Sequence, residues 1–409
     1  RAPSVATDIC ASPCPACGSH VASDWFDGGQ QPMATIAWPA SPEEACALPR
    51  YPLRFVRCLD TGCGHLYNAA FDYAAVPYTE KPNRMFNRGS RWKLHLIDLC
   101  HDLLRTLPDR PTVVEIGCGE GHLLRALAEA QPQGRYIGFD PNASVETGNA
   151  TIEVYPELFY PAHHLPSLRP DLLISRHVLE HMTNPLGFLQ MISASSALLG
   201  EPLKVFIEVP CVDRLWESKR VADLYYEHNS HFTTLSLTRL LSRAGATVEW
   251  IRHGYNREVV MAMVTLGEQS GCRDFASEAR AFSLVSRSAK EDIGGRLGEL
   301  VDSGTPVVVW GGTGKGAAFM QYYGMDAQRF PLVVDSDIDK VGTYVPGMGQ
   351  RIEYRDILKA RPQTSIILPA PWRARDILDE INRECISYRQ ILIEHEGRLI
   401  DFLHNQHPY

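Results

Sequence analysis

A glycine-rich turn between two apolar runs constrains the fold of this chain more than any other feature. The turn, Glu115-Ile-Gly117-Cys-Gly119-Glu-Gly121, follows the run 112–116 and opens a helical pattern that ends near residue 130. A second run, 135–139, ends at Asp140. Glycines at alternate positions let the backbone approach a ligand closely, and an acidic residue after the next strand can accept from ribose hydroxyls. This order predicts a βαβ unit with a ligand site at the turn.

The strand and helix patterns continue on both sides of that turn. Further strands are predicted at 171–174, 204–209 and 259–264, with helices at 186–197 and 236–244. A second series of strands covers 306–310, 330–335, 365–368 and 390–393. Helical patterns from about Asn83 to Arg105 and from Ser270 to Leu300 precede the two series. Alternating short strands and helices predict two doubly wound α/β domains in succession.

The first 80 residues carry a cysteine pattern typical of a metal site. Two pairs, Cys14-Pro-Ala-Cys17-Gly18 and Cys58-Leu-Asp-Thr-Gly-Cys63-Gly64, lie about 40 residues apart in a segment without a sustained helical period. Four thiolates fit a closed tetrahedral zinc site, which would be structural because it leaves no open position. Reduced free cysteines are the alternative. The candidates to replace one of the four ligands are Cys10, Cys46 and His65.

Charge and composition narrow the classes of partner. The 409 residues contain 40 Lys and Arg against 48 Asp and Glu, a net charge of −8, and 44% are hydrophobic. That composition excludes a disordered or fibrous protein. No basic block marks a nucleic-acid footprint, no run of 18 apolar residues occurs, and the N-terminus lacks a signal pattern. We expect a cytoplasmic protein with a small-molecule substrate and no membrane or nucleic-acid partner.

The segment Tyr225-Tyr-Glu227-His228-Asn-Ser-His231-Phe-Thr233 concentrates titratable and phenolic groups. Such groups are rarely buried together, because each needs a polar partner. Histidine titrates near neutrality, which suits proton transfer. The segment therefore indicates either a catalytic cluster or a solvated helix start.

A second glycine-rich turn, Gly311-Gly-Thr-Gly314-Lys315-Gly316, follows the strand 306–310, and Asp335 closes the next strand. Helix N-termini and glycine turns bind anions, and Lys315 adds a positive charge. It is not a Walker A loop, because Gly316 stands where Ser or Thr would hold Mg²⁺. A phosphate cradle, an NAD(P) site and a turn that only packs the helix all remain open.

The first turn together with Asp140 resembles the S-adenosylmethionine site of class I methyltransferases. A dinucleotide site and a simple packing turn are the alternatives. The segment Leu173-Ile-Ser-Arg-His177-Val-Leu-Glu-His181-Met resembles the fourth-strand motif of the same superfamily. In that motif, the residues after the strand border the cofactor and the substrate.

Taken in order, the motifs resemble one family, the three-domain zinc-containing sugar C-methyltransferases that act on nucleotide-linked keto-deoxysugars. The similarity includes the cysteine knuckles, the first glycine turn, the Tyr-x-Glu-His segment, Gly-x-x-x-Lys-Gly, Val-Val-Asp-Ser and Tyr344-Val-Pro-Gly347. It implies a zinc-binding domain at 1–80, a methyltransferase domain of Rossmann-like fold at 81–268, and a Rossmann-like substrate-binding domain at 269–409. A place in deoxysugar and antibiotic biosynthesis is implied as well.

The resemblance also implies roles for individual residues. His228 would be the general base that forms an enolate, Tyr225 would donate to the enolate oxygen, and Glu227 would orient His228 or tune its pKa. The implied cofactor-binding residues are Tyr78, Glu115, Gly117, Gly119, Gly121, Asp140 and His177. The implied substrate-binding residues are His181, His231 and Lys315, and the implied zinc ligands are Cys14, Cys17, Cys58 and Cys63.

The chain departs from the family pattern where substrate would contact the protein. It has Arg176-His177 where the family often has Asn-Asn, and His231-Phe232 where the family often has Tyr-Phe. It has His253-Gly-Tyr-Asn-Arg257 where the family has a Gly-Gly-Ser-x-Arg element. An O- or N-methyltransferase acting on another small metabolite is the alternative function, followed by an NAD(P)-dependent oxidoreductase.

Overall fold

The structure is a computed structural model that describes residues 9–80, 89–143, 151–268 and 271–409, apart from the side chain of Trp216. It separates into two compact units, Arg1–Arg273 and Asp274–Tyr409. Asn83, Ser270 and the predicted domain boundaries at 81 and 269 lie outside the described residues. The division into three domains therefore stays a prediction.

Eighteen strands and ten α-helices are present in the described residues. The strands are β1 (Ile9–Ala11), β2 (Val21–Pro32), β3 (Arg50–Cys58), β4 (Leu66–Asn68), β5 (Thr112–Ile116), β6 (Arg135–Phe139), β7 (Glu153–Tyr155), β8 (Leu172–Arg176), β9 (Leu203–Pro210), β10 (Ser230–His231), β11 (Thr247–Gly254), β12 (Val259–Leu266), β13 (Val307–Trp310), β14 (Val333–Asp335), β15 (Ile352–Tyr354), β16 (Ser365–Leu368), β17 (Gln390–His395) and β18 (Arg398–Asp401). The helices are α1 (Pro42–Cys46), α2 (Ser90–Leu104), α3 (His122–Ala130), α4 (Pro161–Leu168), α5 (Pro185–Leu199), α6 (Asp213–Ser218), α7 (Thr234–Arg243), α8 (Gly271–Asp302), α9 (Lys315–Tyr322) and α10 (Ala374–Arg383).

The first unit contains a small N-terminal sheet in the order β1-β2-β3-β4-β10. All of its neighbouring strands are antiparallel. Its fifth strand, β10, comes from residues that follow the Tyr-x-Glu-His segment, with Ser230 opposite Tyr67. The predicted catalytic segment thus continues directly into a strand of the cysteine-containing sheet.

The central sheet of the first unit has the order β11-β12-β9-β8-β5-β6-β7. Strands β9, β8, β5, β6 and β7 run parallel, whereas β12 is antiparallel to both of its neighbours. The predicted strands and helices of this region are confirmed to within a few residues. The chain is a mixed α/β protein, as predicted, and this sheet has a Rossmann-like arrangement.

The core of the central sheet explains why the first glycine turn keeps its shape. Leu124 and Leu127 of α3 are fully buried beside Val113. The turn and α3 both approach β6 so closely that a Cβ on Gly138 would lie 2.5 Å from Cys118 Sγ in the turn and 3.2 Å from Leu124 Cδ1 in α3. A larger residue there would push α3 away from the sheet.

The second unit contains one sheet in the order β15-β14-β13-β16-β17-β18. The first five strands are parallel and β18 is antiparallel to β17. The glycine turn after β13 therefore lies at the carboxyl end of the strand where the chain order reverses. Open α/β sheets bind ligands at such points. None of the helices in the described ranges combines the length and the apolar content that a bilayer crossing needs.

Candidate active site

The Tyr-x-Glu-His segment is buried and is not a solvated helix start. Residues 226–232 are all buried, and helix α7 begins only at Thr234, where Thr233 supplies the N-cap. The main-chain N–H of Asn68 donates to the carbonyl of Asn229 at 2.9 Å, and Cys211 bridges Phe232 after β9. Contacts to both sheets of the unit fix this segment.

His228 and Tyr225 form a hydrogen-bonded pair. His228 Nε2 and Tyr225 Oη lie 2.9 Å apart, and His228 is only 5% exposed. Burial is the main reason that the pKa of His228 lies well below its usual value, and the neighbouring His181 and His231 lower it further. Burial also raises the pKa of Tyr225. Near neutral pH the pair is therefore a neutral imidazole beside a neutral phenol, a proton acceptor next to a donor.

The Glu227 carboxylate bonds to an N-terminal loop and not to the adjacent His228. Its Oε1 accepts from the main-chain N–H groups of Thr35 at 2.6 Å and Ile36 at 3.1 Å, and from Thr35 Oγ1 at 3.1 Å. The carboxylate therefore points into the N-terminal part of the unit. Sequence reasoning paired Glu227 with its neighbour and had no means of finding a partner so distant in the chain.

The Glu227 carbonyl lies where two predicted site residues meet. It accepts from Tyr78 Oη and from His181 Nδ1, each at 2.7 Å. The main-chain oxygen of Tyr78 in turn accepts from the Asn142 amide, two residues after Asp140. Tyr78 thus connects the catalytic segment with the predicted cofactor motif.

A cavity of about 500 Å³ opens beside this segment. Its polar side includes the predicted site residues Tyr225, His228, His177 and His231. His231 Nε2 donates to the Asp223 carbonyl at 3.1 Å, and burial lowers the pKa of His231 to about 4. The other lining residues are Trp92, Pro210, Cys211, Val212, Ala222, Asp223, Tyr255, Glu258 and Val259.

Sequence reasoning missed the aromatic wall of this cavity. The rings of Trp92 and Tyr255 meet edge to face with centroids 4.9 Å apart. Tyr255, Asn256 and Arg257 all have positive φ, at 43°, 55° and 65°. Three successive non-glycine residues in this region are strained, and such strain concentrates at functional sites. One signal of this turn was visible in the sequence, because residues 253–257 depart from the family's Gly-Gly-Ser-x-Arg element.

The first glycine turn has the geometry of a ligand cradle. Gly117, Gly119 and Gly121 have φ values of 65°, 53° and 72°. A Cβ on Gly117 would lie 2.6 Å from Val178 Cγ2, whereas the space beside Gly119 is open to 4 Å. The Gly119 N–H donates to Asp140 Oδ2 at 3.0 Å. The structure thus brings together the turn and the acidic residue that the sequence predicted.

Glu115 is a buried carboxylate at the start of that turn. It is 3% exposed, and its Oε2 has no hydrogen-bond partner in the described residues. Burial raises the pKa of Glu115 to about 7. The positive charge of Arg176, whose Nη1 lies 4.0 Å from Glu115 Oε1, lowers this pKa but does not outweigh burial. An unpaired buried carboxylate is costly. A cationic group bound at this end of the turn would relieve that cost.

A buried charge cluster centred on Glu208 connects this turn with the cavity. Glu208 pairs with His95 Nε2 at 2.7 Å, Arg176 Nη2 at 2.8 Å and His177 Nε2 at 3.0 Å. Burial raises the pKa of Glu208, but these partners outweigh it and hold the pKa well below the usual value. Glu208 was not predicted, although a carboxylate inside the apolar run 204–209 was a visible signal.

His177 is the cation of the cavity wall. Burial lowers its pKa, but the carboxylates of Glu180 and Glu208 outweigh this and raise the pKa to about 9. It follows the carboxyl end of β8 and has a positive φ of 54°. His177 is therefore protonated near neutral pH, which contrasts with the neutral His228 in the same cavity.

The four predicted metal ligands converge in the N-terminal sheet. Cys14 and Cys63 sulfurs lie 3.7 Å apart, and Cys17 and Cys58 sulfurs lie 3.6 Å apart. All four are within 4.8 Å of one another. Tetrahedral zinc with Zn–S bonds of about 2.3 Å has sulfur–sulfur edges of about 3.8 Å, so the cluster fits this ion.

The three alternative ligands lie outside this group. His65 Nε2 is hydrogen-bonded to Ser230 Oγ at 2.9 Å, Cys46 is exposed, and Cys10 is half-buried. The four-cysteine group contains none of the three. The structure therefore favours the four-thiolate set.

Lys315 belongs to the second unit, where the second glycine turn is tightly closed. A Cβ on Gly316 would lie 1.8 Å from the Gly311 carbonyl oxygen, so only glycine fits. Lys315 Nζ lies 3.9 Å from the centroid of the half-exposed Trp372 ring, which follows β16. The two loops beside the reversal point thus combine an aromatic face with a positive charge.

Two family models match successive parts of the chain. Residues 89–250 match the family described as Methyltransferase domain, and residues 249–393 match the family described as C-methyltransferase C-terminal domain. Among solved structures, a SAM-dependent methyltransferase from Aquifex aeolicus is 17% identical, with 42% of this chain and 92% of that chain covered and a TM-score of 0.32. Human N-acetylserotonin methyltransferase in complex with SAM is 16% identical, with 43% and 52% covered and a TM-score of 0.34.

These matches place a methyltransferase domain in residues 89–250 and indicate the methyltransferase class of proteins. They favour the methyltransferase interpretation of the turn 115–121 over the dinucleotide alternative. Within that class, the chain is similar to C-methyltransferase NovU of Streptomyces niveus, with 26% identity over 280 residues. The alignment covers 62% of this chain and 64% of NovU, less than two thirds of that relative. These findings support a C-methyltransferase family.

Proposed function

We propose that this protein methylates a carbon atom next to the ketone of a nucleotide-linked keto-deoxysugar. The observation that carries the proposal is the pair of neutral His228 and neutral Tyr225, 2.9 Å apart on the wall of the 500 Å³ cavity. A carbon beside a ketone has an acidic proton, so its methylation needs a base and a donor to the enolate oxygen. The similarity to C-methyltransferase NovU supports the same chemistry.

The chain's own residues supply the proton transfers in this proposal. His228 takes the proton from the acceptor carbon, and the electron pair left behind spreads onto the ketone oxygen. Tyr225 donates its O–H to that oxygen and stabilises the developing charge. The Glu227 carboxylate holds the segment through Thr35 and Ile36, so that His228 keeps its position. Glu227 is therefore a positioning residue.

S-adenosylmethionine would be held by the first glycine turn. The positive φ angles of Gly117, Gly119 and Gly121 open the backbone to a ligand, and Asp140 lies within reach of ribose hydroxyls. The unpaired Glu115 Oε2 suits the positive charge of this cofactor. When bound, S-adenosylmethionine supplies a methyl group activated by a sulfonium. Tyr78 and His177 border this region and remain proposed cofactor contacts.

Two further parts of the proposal concern metal and phosphate. Cys14, Cys17, Cys58 and Cys63 would hold a structural Zn²⁺, because their sulfur spacing fits a tetrahedral ion. In the second unit, Lys315 and the turn before it would bind a phosphate group, with Trp372 as an aromatic neighbour. In the first unit, His181 and His231 would contact the sugar. The phosphate and sugar assignments follow from the family resemblance.

The test is methyl transfer from S-adenosylmethionine carrying a labelled methyl group to a panel of nucleotide-linked keto-deoxysugars. Nuclear magnetic resonance of the product locates the labelled methyl. We expect a new carbon–carbon bond next to the ketone, together with exchange of that carbon's proton with deuterium in D₂O. A label on oxygen or nitrogen would overturn the proposal in favour of an O- or N-methyltransferase.

A further inference from the structure

Glu180 is a buried carboxylate that the proposed reaction does not use. It is 1% exposed, and neither of its oxygens has a hydrogen-bond partner in the described part of the chain. His181 and His228 lie beside it, and one ligand atom from each of the three residues falls within 4.8 Å of the others. Glu180 Oε1 also lies 3.6 Å from Nδ1 of His177, an ion pair that leaves Oε2 for another ligand. A buried carboxylate beside two imidazoles is the donor set of a metal site.

The hydrogen bonding of His181 suits this role. Its Nδ1 lies 2.7 Å from the Glu227 carbonyl oxygen and 2.9 Å from Tyr78 Oη. The Tyr78 hydroxyl donates to that carbonyl, and a carbonyl can only accept, so Nδ1 carries the proton. Nε2 is then the basic nitrogen of the ring, and it lies 3.9 Å from Glu180 Oε1. Metal-binding histidines commonly donate their other N–H to a backbone carbonyl in this way, which fixes the tautomer.

The third group, His228, approaches from the catalytic segment. Its ring centroid lies 4.8 Å from that of His181, with the planes at 71°. Around a tetrahedral ion with bonds of about 2.1 Å, the ligand atoms lie about 3.4 Å apart, so closure needs side-chain shifts of about 1 Å. Two imidazoles and one carboxylate select divalent transition metals over Mg²⁺ or Ca²⁺.

We propose that Glu180, His181 and His228 form a binding site for a divalent transition metal ion such as Zn²⁺, separate from the four-cysteine cluster. A neutral imidazole has one basic nitrogen, so a bound metal prevents His228 from accepting a proton. The site is therefore inhibitory. This inhibitory part rests on the proposed role of His228, whereas metal binding itself does not.

A second three-residue cluster borders the same cavity but is less suited to a metal. Cys211, Asp213 and His253 also lie within 4.8 Å of one another. Both oxygens of Asp213 are already occupied, because Oδ1 accepts from the Thr234 N–H and Oδ2 from the Thr234 hydroxyl. Glu180 has no such partners, and this contrast decides between the two clusters.

Equilibrium dialysis of the full chain against Zn²⁺ tests the binding. The variant is Glu180→Gln, which keeps the shape and removes the charge. The matched control is Glu129→Gln, since Glu129 is exposed on α3, in the same unit and outside the cavity lining. Wild type and E129Q should each bind about one equivalent more zinc than E180Q. Retention of the cysteine-bound zinc in E180Q shows that the variant is folded. If wild type and E180Q bind the same amount of zinc, or if both variants lose the same amount, the proposed metal site is wrong.

Inhibition tests the second part. Zn²⁺ should inhibit methyl transfer by wild type and E129Q, and E180Q should need at least about tenfold more zinc for the same inhibition. Equal sensitivity of E180Q and wild type would overturn the inhibitory role. If no acceptor is methylated by any variant, the proposed function has failed, and the dialysis result still decides whether the metal site exists.

Discussion

The main-chain N–H of Thr35 donates to Glu227 Oε1 at 2.6 Å, although 192 residues separate the two in the chain. The same oxygen accepts from Ile36 and from the Thr35 hydroxyl. An N-terminal loop is thereby attached to the residue immediately before His228.

Glu227→Ala should be strongly destabilising because it leaves two buried N–H groups without an acceptor. We expect a loss of about 2–4 kcal/mol in the free energy of unfolding, measured by urea denaturation. Thr35→Val removes only the hydroxyl donor and should cost about 1 kcal/mol. Glu43→Ala, at an exposed position of α1, is the control and should change stability little. Equal stability of the Glu227 and Glu43 variants would contradict the attachment.

Cys58→Ser should abolish zinc binding at the four-cysteine cluster. The substitution removes one of four thiolate ligands, and a structural zinc site needs all four. The bound metal stabilises this part of the fold, so the melting temperature should fall together with the zinc content. Cys46→Ser is the matched control, since Cys46 is exposed. Atomic absorption measures the zinc. Full zinc retention by the Cys58 variant would show that the cluster is not the metal site.

His228→Asn should remove the base while keeping a polar side chain. A fall in kcat of about 10²- to 10⁴-fold is expected, because general-base catalysis contributes that range. Affinity for S-adenosylhomocysteine, measured calorimetrically, should stay within about twofold. His404→Asn, in an exposed loop, serves as the control. A variant that retains activity within a few-fold of wild type would rule out His228 as the base.

Cofactor affinity should depend on the protonation of Glu115. Its pKa of about 7 means that the carboxyl is mostly neutral at pH 6 and mostly ionised at pH 8. Because the cofactor is cationic, affinity should rise by about tenfold from pH 6 to pH 8. Calorimetric titration at several pH values measures the slope. Glu115→Gln should bind weakly with no slope, and an unchanged slope in this variant would assign the titration to another group.

Lys315→Met should weaken the binding of a nucleotide sugar by about tenfold through loss of one charge near phosphate. Fluorescence of Trp372, which lies under the Lys315 ammonium, offers a direct readout. Lys359→Met, at a surface position in the same unit, is the control. Unaltered nucleotide affinity in the Lys315 variant would remove the second glycine turn from the proposed site.

The sequence patterns predicted five of the seven strands of the central sheet, because the signals of those five are local, and they missed β7 and β11. Strands β5 and β6 are short apolar runs, and the alternating glycines from Gly117 to Gly121 fix the turn between them. The long strand β2 was missed, since its Asp, Gly and Gln residues follow no regular alternation and its pairing with β3 is irregular. The short strand β14 begins three residues later than predicted.

The candidate site was predicted in its residue types but only partly in its contacts. His228, Tyr225 and the first glycine turn carry recognisable spacing. The Glu208 cluster and the attachment of Glu227 to Thr35 depend on side chains brought together from distant parts of the chain. No periodicity or motif in a single sequence reports such pairs.

The pairing of β10 with β4 has a consequence for how the protein can be divided. Strand β10 follows the catalytic segment in the chain but belongs to the N-terminal sheet. A truncated protein that begins after residue 80 would keep β10 and lose all its partners, which leaves unpaired backbone groups on a buried segment. We therefore expect such a truncation to aggregate, and functional dissection of the first unit requires point substitutions instead of deletions.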